Sequence, residues 1–201
     1  MGITERKSRQ QEEIKQQIIK ESYAIICNEG WQALSIRKIA DAIEYSVPVI
    51  YKHFENKEAI IEYFTLEGFR LLTQHMQRCT SAELAPCAQL RILADSYWDF
   101  AHVYPAYYRI MFGLGIPACE TINSSLEIST MSKFMYDAIE ATALNAGNKA
   151  LDLHLKLKTL WSMLHGFVAI ELLSNNNLHK EPSPMVRDAV DGFIFTLIHK
   201  K

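Results

Sequence analysis

Glycine and proline are scarce in this chain, whose 201 residues include 8 glycines and 6 prolines. Most of them fall at breaks between periodic segments, and no β-alternation or hairpin dipeptide stands out, which argues against a sheet protein. Apolar residues instead recur at helical spacing almost throughout the chain. The sequence therefore predicts an all-α fold.

Neither sign of charge is in excess, and long apolar runs are missing. The chain has 21 Lys and Arg against 23 Asp and Glu. It is therefore not a uniformly basic nucleic-acid binder, and any such surface must be local. No run approaches the roughly 18 apolar residues of a membrane helix, and the polar N-terminal segment has no apolar core of a secretory signal. We expect a cytoplasmic protein without a membrane partner.

Motifs for metal binding and catalysis are also missing. Cys27, Cys79, Cys87 and Cys119 have no CxxC spacing and no histidine at a metal-ligand offset, which predicts a reduced setting and no metal. A redox switch among these cysteines is the alternative left open. The chain has no GxSxG, HExxH, GxGxxG or phosphate-cradling glycine loop, and its carboxylates sit singly on polar faces. We expect neither an enzyme nor a cofactor.

Helix start and stop signals are concentrated near the N-terminus. A first helix is predicted over 10–29 and ends at Gly30. Residues that suit helix caps then recur, with Ser35 before a helix over 36–43, Ser46 before a third helix of about two turns, and Asn56 before a longer helix from Lys57. Two short helices joined by a turn of about three residues are typical of a helix-turn-helix.

The third helix combines an apolar inner side with a different outer side. Ile50 and Phe54, four residues apart, are expected to pack inward, and the N-terminal end suits a phosphate. The outward residues suit DNA, because they offer small apolar side chains for a groove and a hydroxyl and cations for phosphates. This predicted DNA-contacting set is Val47, Pro48, Val49, Tyr51, Lys52 and His53, with Lys57 and, from the preceding helix, Arg37.

Simpler explanations exist for single members of this set. Tyr51 alone fits a packed aromatic, and the lysines alone fit a solvated surface. Arg6, Lys7 and Arg9 fit either a disordered tail or a flexible arm that touches DNA. The DNA interpretation rests on the coincidence of caps, turn length, inner-face pairing and outer-face chemistry within one stretch.

The stretch GWQALSIRKIADAIEYSVPVIYKHFENKEAII resembles the N-terminal DNA-binding domain of TetR-family transcriptional regulators. The resemblance covers about 10–62 and is carried by Gly30, by Ser35-x-Arg37-x-Ile39-Ala40, and by Ile50-Tyr51-x-His53-Phe54-x-Asn56-Lys57-Glu58. It implies phosphate or base contacts from Ser35, Arg37, Ser46, Pro48, Val49, Tyr51, Lys52, His53 and Lys57.

One departure from the family pattern lies in the turn, where the pair Glu44-Tyr45 replaces the usual Gly-Val. The glycine serves a left-handed helix end, which a non-glycine residue occupies at a cost of roughly 1 kcal/mol. We expect the turn to survive and the Glu44 charge to weaken binding to phosphates.

The resemblance implies two domains, an N-terminal DNA-binding domain over 1–56 and a larger C-terminal helical domain over 57–201 for ligand binding and dimerisation. The helix from 57 links them. The pattern in the second domain predicts helices over 57–79, 86–103, from Pro105, and over 124–145, 149–174 and 184–198, with a loop over 113–123.

The C-terminal half resembles the WHG subtype of the family, named for a Trp-His-Gly signature that appears here as Trp161, His165 and Gly166. Gly166 would let a neighbouring helix approach closely. Abundant aromatic and Met side chains suit a pocket for a small, largely apolar ligand, although core packing is the default explanation for most of them, and for His165 a satisfied core histidine is as good an explanation as a ligand contact. The predicted pocket set is Trp98, Tyr104, Tyr108, Met111, Phe112, Met131, Phe134, Met135, Trp161 and His165.

The last two helices have apolar faces that are too wide for one small domain to cover. In the family these helices form a two-fold, four-helix dimer interface, and duplication suits a reader of half-sites. The predicted interface set is Leu157, Leu160, Leu164, Val168, Leu172, Val186, Val190, Phe193 and Leu197, together with Phe195 and Ile198.

The resemblance therefore implies a TetR-type regulator, a ligand-responsive repressor that binds a palindromic double-stranded DNA operator as a homodimer. The alternative is a helical carrier or sensor of small molecules whose helix-turn-helix no longer binds DNA, which Glu44 and the neutral N-terminal third of the chain would favour.

Overall fold

The computed structural model describes residues 2–81, 83–112, 125–175, 181–182 and 184–199. Regular structure in these ranges is helical throughout, which confirms the all-α prediction. The helices are α1 (Ile3–Glu29), α2 (Ile36–Ala42), α3 (Val47–Ile50), α4 (Lys57–Cys79), α5 (Pro86–Val103), α6 (Pro105–Met111), α7 (Leu126–Asn145), α8 (Leu153–Asn175) and α9 (Pro184–Ile198), with a 3-10 turn at Trp31–Ala33. The loop predicted over 113–123 lies outside the described residues.

The first helix begins at Ile3, well before the predicted start at residue 10. The segment ERKSRQQEEIKQQ contains no glycine or proline and consists mostly of good helix formers, and the Glu5 carboxylate accepts a hydrogen bond from the Gly2 N–H at 3.1 Å. Arg6, Lys7 and Arg9 therefore lie on exposed turns of a helix. The prediction of a disordered tail or a flexible arm is wrong.

The third helix is shorter than the two turns predicted for it. Its α-helical part is Val47–Ile50. The N–H groups of Lys52 and His53 then donate to the carbonyl oxygens three residues earlier, at 3.2 and 2.9 Å, so the chain continues as a tighter turn to the buried Phe54. Tyr51, Lys52 and His53 consequently follow the helix end instead of lying on a second α-helical turn.

Two of the three predicted helix caps are confirmed. The Ser35 hydroxyl accepts from the Lys38 N–H at 3.2 Å, and the Asn56 side-chain oxygen accepts from the Ala59 N–H at 2.7 Å. Ser46 also occupies the predicted N-cap position before α3, but its side chain accepts no capping hydrogen bond.

The start of α8 is also later than the predicted residue 149. Gly147 has a left-handed φ of 68°, and the Asp152 carboxylate accepts from the Leu155 N–H at 3.0 Å. A carboxylate at this position satisfies a backbone donor of the first helical turn and fixes the start at Leu153.

The side chains form two hydrophobic clusters. The smaller cluster joins α1, α2 and α3 with the first turns of α4, where Ile60, Ile61 and Phe64 are buried, and it also contains Ile110 from α6. The larger cluster joins the rest of α4 with α5–α9. The first turns of α4 thus complete the core of the N-terminal helices.

The predicted dimer interface is wrong for most of its residues, because α8 and α9 pack them into the protomer's own larger cluster. The following side chains are at most 6% exposed: Leu160, Leu164, Val168, Leu172, Val186, Val190, Phe193 and Leu197. Leu157 and Ile198 are partly buried against the same cluster. A side chain with no free surface in its own protomer cannot bury area against a partner.

The sixth helix lies between the two clusters and shares its side chains with both. Ile110 is buried in the smaller cluster, Tyr108 and Met111 are buried in the larger one, and Tyr107 packs against both. A glycine permits the contact of α6 with α4, since a Cβ on Gly68 would come within 2.6 Å of the Met111 Cγ and Sδ atoms. The position of α6 is therefore set by close packing at Gly68.

We predict that Gly68→Ala lowers the free energy of unfolding by about 1–3 kcal/mol, because the added methyl forces Met111 and α6 away from α4. The matched control is the same change in a Met111→Ala background, where a methyl at position 68 no longer meets the Met111 Cγ and Sδ atoms. In that background the change should raise stability by up to about 1 kcal/mol through helix propensity. Urea unfolding measures the effect of Gly68→Ala in both backgrounds, and equal effects would contradict the close packing.

Candidate DNA-binding surface and ligand site

Two short helices and the turn between them fix the outer surface of the helix-turn-helix. Ile39 and Ala40 of α2 and Ile50 and Phe54 beside α3 are all buried in the smaller cluster. The inward pairing of Ile50 with Phe54 is as predicted. With these side chains held inside, the rest of the segment must face outward.

The predicted DNA-contacting residues lie together around α3 but differ in exposure. Five of them are exposed, namely Arg37, Ser46, Pro48, Tyr51 and Lys52. Tyr51 is 53% exposed. The exposure of Tyr51 removes the alternative of a packed aromatic. The remaining members are half-buried, namely Ser35, Val47, Val49, His53 and Lys57.

The turn between α2 and α3 adopts the left-handed conformation expected at Glu44, whose φ is 58°. Its N–H donates to the Asp41 carbonyl at 3.3 Å, and the Tyr45 N–H donates to the Ala40 carbonyl at 3.0 Å. These bonds close the end of α2 in the way a glycine would. The turn therefore survives the replacement of glycine, and the exposed Glu44 carboxylate lies between the two helices.

Two of the predicted contact residues already have structural partners. Lys57 donates from Nζ to the Gln32 carbonyl at 3.2 Å and lies 5.8 Å from the centre of the Trp31 ring. The Ser35 hydroxyl is the α2 cap. Both residues hold the 3-10 turn and α2 in place, whereas Arg37 and Lys52 are exposed cations on the same side.

His53 is close to the charges of α1 as well as to its own segment. Burial lowers its pKa, and Lys15 and Lys52 lower it further while Glu12 opposes them. The imidazole is thereby favoured as a neutral donor and acceptor. Lys15 is a basic residue that the sequence analysis missed, because nothing in the spacing of α1 and α3 places these two residues together.

All the predicted ligand-binding residues except His165 belong to the larger cluster or pack against it, and half of the set has little accessible surface. Five of them are buried core residues in this structure, namely Trp98, Tyr108, Met111, Met131 and Met135. The others are half-buried, namely Tyr104, Phe112, Phe134, Trp161 and His165.

Four rings, two of them buried and two half-buried, surround Phe112. Its ring centroid lies 4.4 Å from that of His165, 4.6 Å from Tyr108, 5.7 Å from Phe69 and 6.4 Å from Trp161. Side chains from α4, α6 and α8 thus meet at one aromatic site. Phe69 was missed by the sequence analysis because its helix was assigned only a linking role.

Polar groups cross this aromatic site. The Tyr108 hydroxyl lies 2.8 Å from His165 Nδ1 and 3.4 Å from the Tyr97 hydroxyl. Burial raises the pKa of both tyrosines and lowers the pKa of His165. All of these groups are therefore held uncharged near neutral pH. Tyr97 was also missed, since it carries no motif.

Aromatic contacts continue from this site to the N-terminal helices. The Tyr107 ring lies 4.8 Å from Tyr23 of α1, 6.1 Å from Phe64 of α4 and 6.4 Å from Tyr104. Burial raises the pKa of Tyr107 to about 12. Tyr107 is the side chain through which the two hydrophobic clusters touch.

Several large apolar side chains on α8 and α9 are exposed in the protomer. Ile170 and Phe195 are 64% and 58% exposed, and Leu155 and Met185 are also exposed. At one end of these helices an open groove of about 1000 Å³ is lined by Leu155, Phe195 and the 147–152 segment. A Cβ on Gly166 would meet nothing within 4 Å, so within the protomer no helix approaches this glycine closely, contrary to our expectation.

Within the described part of the chain, no group of three or more His, Cys, Asp or Glu side chains is arranged to hold a metal ion. No described helix is long and apolar enough to cross a membrane. Cys27, Cys79 and Cys87 are free thiols, and Cys119 lies outside the described residues.

Comparison with known proteins identifies the class of this fold. The chain matches the family model described as bacterial regulatory proteins, tetR family, over residues 18–64. It also matches the model described as tetracyclin repressor-like, C-terminal domain, over residues 90–193, which is more than half of the chain. The chain belongs to the TetR family of transcriptional regulators. No sequence among the curated proteins matches it.

Several solved structures share the fold over nearly their whole length. A regulatory protein of the tetR family from Rhodococcus RHA1 superposes with a TM-score of 0.70 at 16% identity, covering 94% of this chain and 98% of that chain. The fatty acid degradation regulator FadR from Bacillus halodurans superposes with a TM-score of 0.69 at 17% sequence identity, and the match covers 92% of this chain and 94% of that chain. The TetR-family regulator PfmR from Thermus thermophilus superposes with a TM-score of 0.61 at 16% sequence identity, and the match covers 90% of this chain and 96% of that chain. At these identities the likeness shows the fold alone.

We predict that the free energy of unfolding of Glu44→Gly is about 1 kcal/mol higher than that of Glu44→Ala. Only the glycine variant relieves the strain of a left-handed backbone at residue 44. Both variants remove the charge, so the difference between them reports the backbone alone. Urea unfolding measures it. Equal stabilities would show that the turn does not hold residue 44 at positive φ.

Proposed function

We propose that this protein is a ligand-responsive repressor that binds a palindromic operator as a homodimer. The proposal rests mainly on the outward surface around α3, where Pro48, Tyr51 and Lys52 are exposed beside Arg37. On the inner side, Ile50 and Phe54 are buried. This surface offers apolar side chains, a hydroxyl and cations at the size of a major groove. An intact turn at Glu44 removes the structural reason for preferring a carrier that has lost DNA binding.

Within the predicted set, we propose different roles according to exposure. Tyr51, Lys52 and Arg37 would contact DNA directly, with Pro48 and Ser46 at the groove. The half-buried members of the set would contact DNA only where it approaches closely, or would position the exposed members. They are Ser35, Val47, Val49, His53 and Lys57. Lys15, beside His53, would add a phosphate contact.

For the dimer, we propose the exposed outer faces of α8 and α9 in place of the buried residues first predicted. Leu155, Ile170, Met185 and Phe195 are apolar and exposed, and Gly166 and Gly192 have open space above them, which permits close approach of a partner helix. Pairing through these faces would set two α3 surfaces about one DNA turn apart or a multiple of it.

The coupling of ligand to DNA would run through α6. A ligand bound against Phe112 or His165 would press on the helix that carries Ile110 and Tyr107 into the N-terminal core. Release requires only that the ligand prefer the conformer in which the half-site spacing no longer fits. We further propose that the C-terminal domain is of the WHG subtype, on the basis of Trp161, His165 and Gly166.

Selection from random duplex DNA tests the proposal, and a palindrome should be enriched by the wild-type protein and not by Tyr51→Ala. On the selected site, Lys52→Ala should weaken binding and reduce the salt slope by about 1, because one phosphate contact is lost.

Lys133→Ala is the control for this experiment, because it removes an exposed lysine on α7 that is paired with Asp137 at 2.8 Å. It should bind the operator as the wild type does. A folded dimer that enriches no sequence, both as purified and after unfolding and refolding to strip any bound ligand, would contradict a DNA-binding function and favour the carrier.

We predict that Ile170→Glu and Phe195→Glu convert the dimer to a monomer at micromolar concentration, because each would bury a carboxylate at the interface. Leu126→Glu is the control, since Leu126 is 76% exposed on α7, away from these faces. Sedimentation equilibrium measures the mass. Dimers in all three variants would rule out the proposed interface.

A further inference from the structure

A line of hydrogen-bonding side chains crosses the aromatic site, and its members are known from the distances above. It runs from Tyr97 on α5 to Tyr108 on α6 and His165 on α8. Tyr97 and Tyr108 are 0% and 1% exposed. Each of these hydroxyls must therefore place its one proton among its neighbours in the line.

The burial of Tyr97 fixes the direction of the line, because a hydroxyl with no exposure needs an acceptor for its proton. The Tyr108 oxygen, at 3.4 Å, is the hydrogen-bond partner of Tyr97 among the described residues, so the Tyr97 proton is directed at it. Tyr108 then donates to His165 Nδ1, the shorter of its two contacts. In the opposite direction the Tyr97 proton would have no acceptor among the described residues, at a position with no exposure.

This direction determines the tautomer of His165. Because Nδ1 accepts the Tyr108 proton, the neutral ring must carry its hydrogen on Nε2. A protonated ring would also place a hydrogen on Nδ1, directed at the Tyr108 proton, and the whole line would have to reverse. The ring is thus held as a neutral donor at Nε2.

The Nε2 atom is accessible and has no partner among the described residues. The only buried side-chain nitrogen or oxygen that lacks a partner in those residues is Ser22 Oγ, so Nε2 must lie open to solvent. Around it the ring of Phe112 lies at 4.4 Å, and that of Trp161 lies beyond Phe112. One hydrogen-bond donor therefore projects from an otherwise aromatic surface.

We propose that the Nε2–H of His165 binds an uncharged carbonyl oxygen on an otherwise apolar ligand. An apolar body suits the aromatic rings, and the carbonyl accepts the single available donor. A carboxylate is disfavoured, because desolvating its charge against aromatic rings costs more free energy than one hydrogen bond returns. This inference rests on the proposed function in assuming that the site takes a small ligand.

The tautomer can be measured without any ligand or DNA. Nitrogen NMR of the full-length protein at neutral pH, with His165 assigned from the spectrum of His165→Phe, should show a protonated Nε2 and an unprotonated Nδ1. Tyr108→Phe removes the donor and should yield a mixture of tautomers. A ring protonated at Nδ1 in the wild type overturns the proposal.

The ligand class is tested with three probes of similar size: acetophenone, ethylbenzene and benzoate. Wild-type protein should bind acetophenone about tenfold more tightly than ethylbenzene, the factor expected for one added hydrogen bond, and should bind benzoate least. Quenching of tryptophan fluorescence follows the binding. Preference for benzoate, or equal binding of acetophenone and ethylbenzene, overturns the proposal.

Two variants separate the donor from the packing. His165→Phe keeps an aromatic ring against Phe112 and should bind acetophenone and ethylbenzene equally, whereas His165→Gln restores an N–H and should recover part of the preference. If none of the probes binds the wild type, the ligand pocket itself is wrong. Operator selection tests the DNA function separately, so failure of one does not imply failure of the other.

Discussion

The close contact of α6 with α4 at Gly68 is the constraint on which the rest of the molecule depends. It places a seven-residue helix where Ile110 enters the core of the DNA-binding helices and Tyr108 and Met111 enter the core of the larger domain. Without a side chain at position 68, one short helix can serve both interiors. Any displacement of α6 must therefore disturb both, because packed interiors have little free volume to absorb a shift.

The same helix accounts for how the two candidate sites relate. The aromatic site around Phe112 is built on the C-terminal end of α6, and Tyr107 on the other face touches Tyr23 of α1. A strained residue at Glu44, by contrast, acts locally, since it closes the turn that orients α3. The molecule thus combines a local constraint on the reading surface with a shared element that connects it to the ligand domain.

Much of the fold could be predicted from the sequence, because caps and periodicity are local signals. Ser35, Asn56 and Gly30 end or start helices in the structure, and the departure at Glu44 correctly indicated a left-handed backbone.

The start of α1 was missed because a polar segment gave no apolar period. The orientation of α8 and α9 was missed for a different reason. An apolar stripe does not say whether it faces the protomer or a partner, and only the packing of α5 and α7 decided it. The line from Tyr97 to His165 brings together residues far apart in the chain, which no spacing could reveal.

The contribution of Ile110 has a consequence for how the protein is made. The N-terminal helices leave the ribosome first, and domains generally fold in that order. Here, however, part of their interior is supplied by a helix encoded much later, so a nascent or truncated chain that ends before α6 has an unfilled DNA-binding core. A fragment that ends before α6 therefore cannot complete the interior of the N-terminal helices on its own.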